Sequence, residues 1–65
     1  MKRRTWNWKY RVVVWQGRRL LTDYTDSFDF AREAVRRLIR EAGFKGVVNY
    51  AIVRQTVEES GTVEV

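Results

Sequence analysis

The chain has 65 residues, with 13 lysines and arginines against 8 aspartates and glutamates, which gives a formal net charge of +5. It contains no cysteine and no histidine, so disulfides and thiolate or imidazole metal sites are excluded. A hydrophobic fraction of 45% argues against disorder, and the longest apolar runs, residues 12–15 and 50–53, are too short for a membrane span. We therefore expect one small cytoplasmic α+β domain over residues 1–65, with residues 1–4 as a flexible basic N-terminus.

Charge is distributed unevenly along this chain. Residues 1–22 contain no acidic side chain but carry the basic residues Lys2, Arg3, Arg4, Lys9, Arg11, Arg18 and Arg19. The last part of the chain is acidic, with Glu58, Glu59 and Glu64 against Arg54. This asymmetry indicates an anionic partner for the N-terminal half. The alternative is that an acidic C-terminal strand lies beside the basic first strand and neutralises it through cross-strand pairs.

The first part of the chain has the pattern of a β-hairpin. Residues 6–15 alternate between two faces, and one face carries only aromatic and β-branched residues: Trp6, Trp8, Tyr10, Val12 and Val14. That period of two predicts a strand with one buried face. Gln16-Gly17 predicts the turn, and residues 18–24 predict the returning strand. Its register stays open, because Leu20 and Leu21 are adjacent and turns of two or three residues bury different leucines.

Residues 26–43 predict a helix. Asp26 or Ser27 is a suitable N-cap, and Gly43 is placed to end the helix in a left-handed conformation, with Phe44 contacting Ile39 as in a Schellman motif. One apolar stripe consists of Phe28, Ala31, Val35, Leu38, Ile39 and Ala42. Away from it runs a column of basic residues, Arg32, Arg36 and Arg40. A basic column of this kind is either a solvated face or a nonspecific phosphate contact.

Residues 47–57 predict a third strand with apolar residues on both faces. Ser60-Gly61 then predicts a turn, and residues 62–65 a short edge strand. The resulting element order is ββαβ(β). A right-handed crossover from the second strand to the third gives an antiparallel sheet of order 2-1-3, with one helix packed on one face.

The sequence lacks the residues and loops on which most enzyme chemistry depends. It has neither a G-x-x-x-x-G-K-[ST] phosphate-binding loop nor a G-x-G-x-x-G motif. Its two serines, Ser27 and Ser60, are placed as a helix cap and a turn residue. Asp23, Asp26 and Asp29 could hold a divalent cation, but their spacing favours capping and first-turn roles. We predict a non-enzyme with no cofactor, no metal and no small-molecule substrate.

The aromatic and basic residues of the first strand are the best candidates for a binding site. The sheet face opposite the helix is expected to present Lys9, Arg11, Val13 and Trp15, one leucine of the second strand and an apolar set from the third, which together form an apolar patch with a basic rim. One helix is too short to cover the whole opposite face, so Trp6 is expected as an exposed anchor unless Tyr50, Phe30 or Phe44 closes over the ring. The full predicted site comprises Lys2, Arg3, Arg4, Trp6, Trp8, Lys9, Arg11, Trp15, Arg18 and Arg19.

Three segments of the chain resemble small accessory proteins of bacteriophages that infect actinobacteria: residues 10–14 (YRVVV), 28–34 (FDFAREA) and 52–57 (IVRQTV). The resemblance covers most of the chain as a pattern and a length, without a diagnostic motif. It implies an accessory factor that acts by binding, in the cytoplasm of the bacterial host. It transfers no functional residue.

These features predict a small binding module whose first-strand surface contacts an anionic partner. Nucleic acid is the first expectation, because seven basic residues precede the first acidic one. The alternative is a protein-interaction factor, either a phage-type binder of a host protein or a homodimer formed through the open sheet face. Neither expectation involves a membrane.

Overall fold

The structure is a computed structural model, and it describes residues 9–65. Its elements are β1 (Tyr10–Gln16), β2 (Arg19–Thr25), α1 (Phe28–Ala42), β3 (Val47–Val53) and β4 (Val57–Glu64). The strands form one antiparallel sheet of order β2-β1-β3-β4. The predicted α+β class and the strand order 2-1-3 are confirmed, and β4 extends the sheet beyond β3. Residues 6–8, predicted as strand, and residues 1–4, predicted as a flexible N-terminus, lie outside the described part.

Strands β1 and β2 form a hairpin with a two-residue turn, Gly17-Arg18, one residue later than predicted. Gly17 has a φ of 61° whereas Arg18 has a negative φ, the signs typical of a type II′ turn. This turn settles the open register, because it pairs Val14 with Leu21. Leu21 therefore packs against the core, and Leu20 is 61% exposed on the other face.

Helix α1 begins and ends at the predicted signals. Ser27 rather than Asp26 is the N-cap, and its Oγ accepts a hydrogen bond of 3.1 Å from the N–H of Phe30. Gly43 has a φ of 73°, and the N–H groups of Gly43 and Phe44 donate to the carbonyls of Arg40 and Ile39. These two bonds are those of a Schellman motif, because a glycine at the left-handed position lets the chain turn back over the last helical carbonyls.

Strands β3 and β4 correct the prediction for the C-terminal third. The predicted strand over residues 47–57 ends at Val53, and residues 54–56 form the turn, in which the N–H of Arg54 donates to the carbonyl of Thr56 at 3.0 Å. Ser60-Gly61, predicted as a turn, lies inside an eight-residue β4. Gly61 pairs with Tyr50, and the ring lies 3.5 Å from where a Cβ of Gly61 would be. That distance is an ordinary van der Waals contact, so the Tyr50 ring does not require a glycine here, and Gly61 does not mark a turn.

The core lies between α1 and one face of the sheet. It contains Ala31, Ala34, Val35, Leu38 and Ile39 of the helix, Phe44, and Val12, Val14, Val48 and Ile52 of β1 and β3. The helix contacts β1, β2 and β3 but does not reach β4. The helix-side surface of β4 is therefore only partly covered: Val63 packs against the edge of the core, and Gly61 is exposed.

The acidic C-terminal strand does not neutralise the basic first strand. β3 lies between β1 and β4, so the cross-strand pairs that this alternative needs do not form. Arg11, the one basic residue of β1, forms no ion pair with the described residues, and the carboxylates of β4 lie at one edge of the sheet.

Candidate functional site

The sheet face opposite α1, called the open face below, is largely apolar. The strand register places on it Arg11, Val13, Trp15, Leu20, Thr22, Tyr24, Val47, Asn49, Ala51, Val53, Val57, Ser60, Thr62 and Glu64. Several of its apolar side chains are well exposed, including Leu20 at 61%, Val57 at 60%, Val47 at 55% and Tyr24 at 48%. A contiguous exposed apolar surface on a small domain usually marks a contact site.

Two basic residues, Lys9 and Arg11, lie at one end of β1. Arg11 is exposed and pairs across the sheet with Tyr24, and Lys9 is exposed just before β1, where its N–H donates to the carbonyl of Thr25 at 2.9 Å. Trp15, half-buried, lies at the other end of β1 and pairs with Leu20. The open face thus combines two aromatic rings with a cationic end.

The other predicted site residues lie elsewhere. Arg18 is exposed in the hairpin turn, and Arg19 lies on the helix side, where its guanidinium stands 5.0 Å from the centre of the Phe44 ring. The structure therefore places Arg11 and Trp15 at opposite ends of β1 on the open face, with Lys9 just before the strand beside Arg11, and Arg19 on the other face of the sheet. The remaining predicted residues fall outside the described part of the chain: Lys2, Arg3, Arg4, Trp6 and Trp8.

Phe28, and not one of the predicted residues Tyr50, Phe30 or Phe44, packs against an aromatic ring of the first strand. Tyr10 packs edge-on against Phe28, with ring centres 5.9 Å apart, and the guanidinium of Arg54 stands 5.8 Å from the Tyr10 ring centre. Phe30, one of the predicted covers, is 62% exposed. The prediction of Trp6 as an exposed anchor lies outside the described residues.

The basic helix column, Arg32, Arg36 and Arg40, faces a groove between α1 and β4 that the sequence did not reveal. Within residues 9–65 none of these three arginines forms an ion pair. One end of the groove has a volume of about 500 Å³ and is lined by Arg36, Ile39, Arg40, Gly43, Phe44, Lys45, Val63, Glu64 and Val65. The adjoining end is lined by Arg32, Glu33, Val35, Arg36, Tyr50, Ile52, Glu59 and Val63.

Arg37, between the column residues, is engaged within the fold. Its guanidinium donates a hydrogen bond to Asp23 of β2 and lies 3.5 Å from the carboxylate of Glu41. Partial burial raises the pKa of Asp23, but the hydrogen bonds from Arg37 and from the Tyr24 N–H, with the Arg37 charge, outweigh it and leave that pKa lowered. The pKa of Arg37 is raised, chiefly by the hydrogen bond to Asp23.

Tyr50 and Glu59 occupy the Arg32 end of the groove. The Tyr50 hydroxyl donates a hydrogen bond of 2.6 Å to Glu59 Oε2. This bond is the main cause of a raised Tyr50 pKa, with desolvation and the Glu59 charge adding to it and Arg32 opposing it. The Glu59 carboxylate at this end is thus already hydrogen-bonded to Tyr50. The charged residues that line the other end are three basic residues and one acidic residue: Arg36, Arg40, Lys45 and Glu64.

Comparisons with known proteins give no assignment. No protein-family model, no curated protein and no solved structure matches the chain. Among the described residues, no cluster of acidic side chains is suited to hold a metal ion, and no helix is long and apolar enough to cross a membrane. Any function must therefore be argued from the two surfaces above.

Proposed function

We propose that the chain is a non-enzymatic module that binds single-stranded nucleic acid through its open face. The observation that carries this proposal is the arrangement of Arg11 beside Tyr24 at one end of β1 and Trp15 at the other, on a face not covered by the helix. Open antiparallel sheets bind unpaired bases by stacking them on aromatic side chains, while nearby cations contact the phosphates.

The spacing of the aromatic residues suits an extended strand. Tyr24 is paired with Arg11, and Trp15 lies four residues further along β1, which corresponds to about 13 Å at ~3.3 Å per residue. A nucleic-acid strand stacked on both rings would pass Arg11 where it reaches Tyr24, and its continuation beyond Tyr24 would pass Lys9. Stacking contributes roughly 1–3 kcal/mol per base and tolerates any base, so we expect weak sequence preference.

The residues before β1 support the same partner. Lys2, Arg3 and Arg4 add three positive charges in the segment that leads into the strand. Cations that neutralise phosphates release counterions, so their contribution falls as the salt concentration rises. Duplex recognition through the start of α1 is disfavoured, because Asp26 and Asp29 there would repel phosphates.

The test compares two arginine variants by fluorescence anisotropy with a labelled single-stranded oligonucleotide of about ten nucleotides. We expect the wild type to bind more weakly at about 200 mM than at about 50 mM salt, and Arg11→Gln to reduce the salt slope by about one. Arg36→Gln removes the same charge from an exposed site on α1 and is the matched control. Equal effects of the two variants, or no wild-type binding at low salt, would contradict the proposal.

The runner-up function is protein interaction through the same face, either as a homodimer or as a phage-type binder of a host protein. The observation in its favour is the aliphatic surface of β3 and β4, where Val47 and Val57 are more than half exposed beside Ala51 and Val53. Two such faces could pack as a sandwich and remove this surface from water. Self-association separates the two candidates and is treated in the Discussion.

A further inference from the structure

We infer that the groove between α1 and β4 binds an extended acidic peptide segment of a partner protein, which adds to the sheet as a strand beside β4. This inference concerns the helix side of the sheet and does not depend on nucleic-acid binding at the open face. It rests on two features that coincide at one edge of the sheet among residues 9–65: a strand edge that pairs with no further strand, and arginines that form no ion pair.

The edge of β4 can accept another strand. Gly46 and Val65 exchange two backbone hydrogen bonds, of 3.0 and 2.8 Å, so both main-chain groups of Val65 point toward β3. Because these directions alternate along an antiparallel strand, the N–H and C=O groups of Ser60, Thr62 and Glu64 point outward. An edge with three such residues in succession is a template for strand addition.

The opposite edge of the sheet is less suited to strand addition. On β2, the N–H of Tyr24 already donates a hydrogen bond of 2.8 Å to the carboxylate of Asp23. Helix α1 also lies over β2, whereas it does not reach β4. A strand added to β4 therefore continues the sheet under an open groove, where its helix-facing side chains have room.

The chemistry of the groove selects acidic and apolar side chains. Half-buried Val63 is the accessible apolar residue on the helix side of β4, and Arg36 and Arg40 line the groove from α1 without an ion pair to any described residue. Successive residues of the column are four apart, which is about 6 Å along the helix axis at ~1.5 Å per residue. An extended peptide repeats its helix-facing side chains every second residue, at about 6.6 Å, so its acidic groups match the column in spacing.

A second copy of this chain does not fit the same edge. On its helix-facing side β4 carries Glu59, Gly61 and Val63, and the Glu59 carboxylate already accepts a hydrogen bond from Tyr50. A second β4 would therefore offer the basic column a single carboxylate that is already engaged. Nucleic acid lacks the alternating N–H and C=O groups that would pair with the edge. A polypeptide that carries carboxylates on its helix-facing side satisfies both the edge and the column.

The test uses a labelled peptide of about eight residues that alternates valine with glutamate, long enough to pair with β4. We expect it to bind the full chain, and we expect the double variant Arg36→Gln, Arg40→Gln to bind about tenfold more weakly. The double variant Arg18→Gln, Arg54→Gln loses the same charge at exposed sites that do not line the groove and should bind as the wild type does. Equal losses in both double variants, or no peptide binding, would overturn the inference.

A second peptide isolates the strand pairing without altering the protein. Methylation of alternate backbone nitrogens keeps the charge of the peptide but removes the donors that face β4, and we expect this peptide to lose binding. Amide hydrogen exchange at Ser60, Thr62 and Glu64 should slow when the unmodified peptide binds. Equal affinity of the methylated peptide, or displacement by an unlabelled oligonucleotide, would show that strand addition is not the mode of binding. The oligonucleotide test of the open face can fail without changing these outcomes.

Discussion

Asp23 and Arg37 connect an edge strand to the helix by a single side-chain contact. Because the folded state lowers the pKa of Asp23, the carboxylate stabilises the fold at every pH above its unfolded pKa. This contribution is lost as the pH falls through the lowered pKa of the folded state. The side chains of Arg37 and Asp23 are 44% and 34% exposed, so solvent screening keeps the contribution small.

Replacement of Asp23 tests this contact. We expect Asp23→Asn to lower the free energy of unfolding at neutral pH by roughly 0.2–1 kcal/mol, the range of exposed ion pairs. The difference from the wild type should shrink as the pH falls below the usual range of an aspartate, because the wild-type carboxyl is then protonated. Urea denaturation at neutral and acidic pH measures both effects. Glu33→Gln, an exposed helix residue without an ion pair among residues 9–65, should have no comparable effect.

At the scale of the element, α1 depends on its two ends. The apolar stripe makes the helix pack, but the boundaries come from Ser27, which satisfies a free N–H of the first turn, and from Gly43, which adopts the left-handed conformation. A chain of 65 residues has a thin core, so a capping contribution of about 1 kcal/mol is a noticeable part of its total stability.

Deleting one side-chain atom, the Ser27 Oγ, removes the N-cap hydrogen bond. Ser27→Ala deletes the oxygen that accepts from the Phe30 N–H, and we expect a loss of about 1 kcal/mol in the free energy of unfolding. Ser27→Asp keeps an acceptor and places a negative charge at the positive end of the helix, so it should retain the wild-type stability. Thermal and urea denaturation followed by circular dichroism measure both variants. An unchanged stability of Ser27→Ala would show that the cap contributes nothing.

At the scale of the whole molecule, the open face decides whether the chain acts alone or as a pair. If two open faces pack together, a charge at an exposed position of that face must separate them. Leu20, 61% exposed on the edge strand β2, allows Leu20→Lys without loss of core packing. Phe30→Lys is the matched control, since Phe30 is 62% exposed on the helix. For a homodimer, sedimentation equilibrium should show that Leu20→Lys dissociates and Phe30→Lys does not. A wild type that stays monomeric at all concentrations leaves the open face to another partner.

Most of the fold could be predicted because its signals are local. The alternation in β1, Gly17, and the stripe and caps of α1 each act within a few residues, so the end of β1 and both ends of β2 and α1 were located to within about one residue. The strand predicted from residue 6 begins at Tyr10 among the described residues, and residues 6–8 lie outside them. Ser60-Gly61 was misinterpreted as a turn because nothing local shows that Gly61 pairs with Tyr50, eleven residues away. The composition of the open face followed from strand periodicity. The groove could not be predicted from the sequence, because it depends on how far a helix reaches across a four-stranded sheet.

The strand order has a consequence for how the chain folds. β1 with β2 and β3 with β4 are hairpins closed by turns of two or three residues, whereas the pairing of β1 with β3 joins residues as far apart as Arg11 and Val53. Closing the long loop costs more entropy than closing either turn, so the central seam is expected to form last, when α1 supplies apolar surface for both hairpins. The folding transition is then the docking of two preformed halves, and the rate at which the protein folds is set at the middle of the sheet.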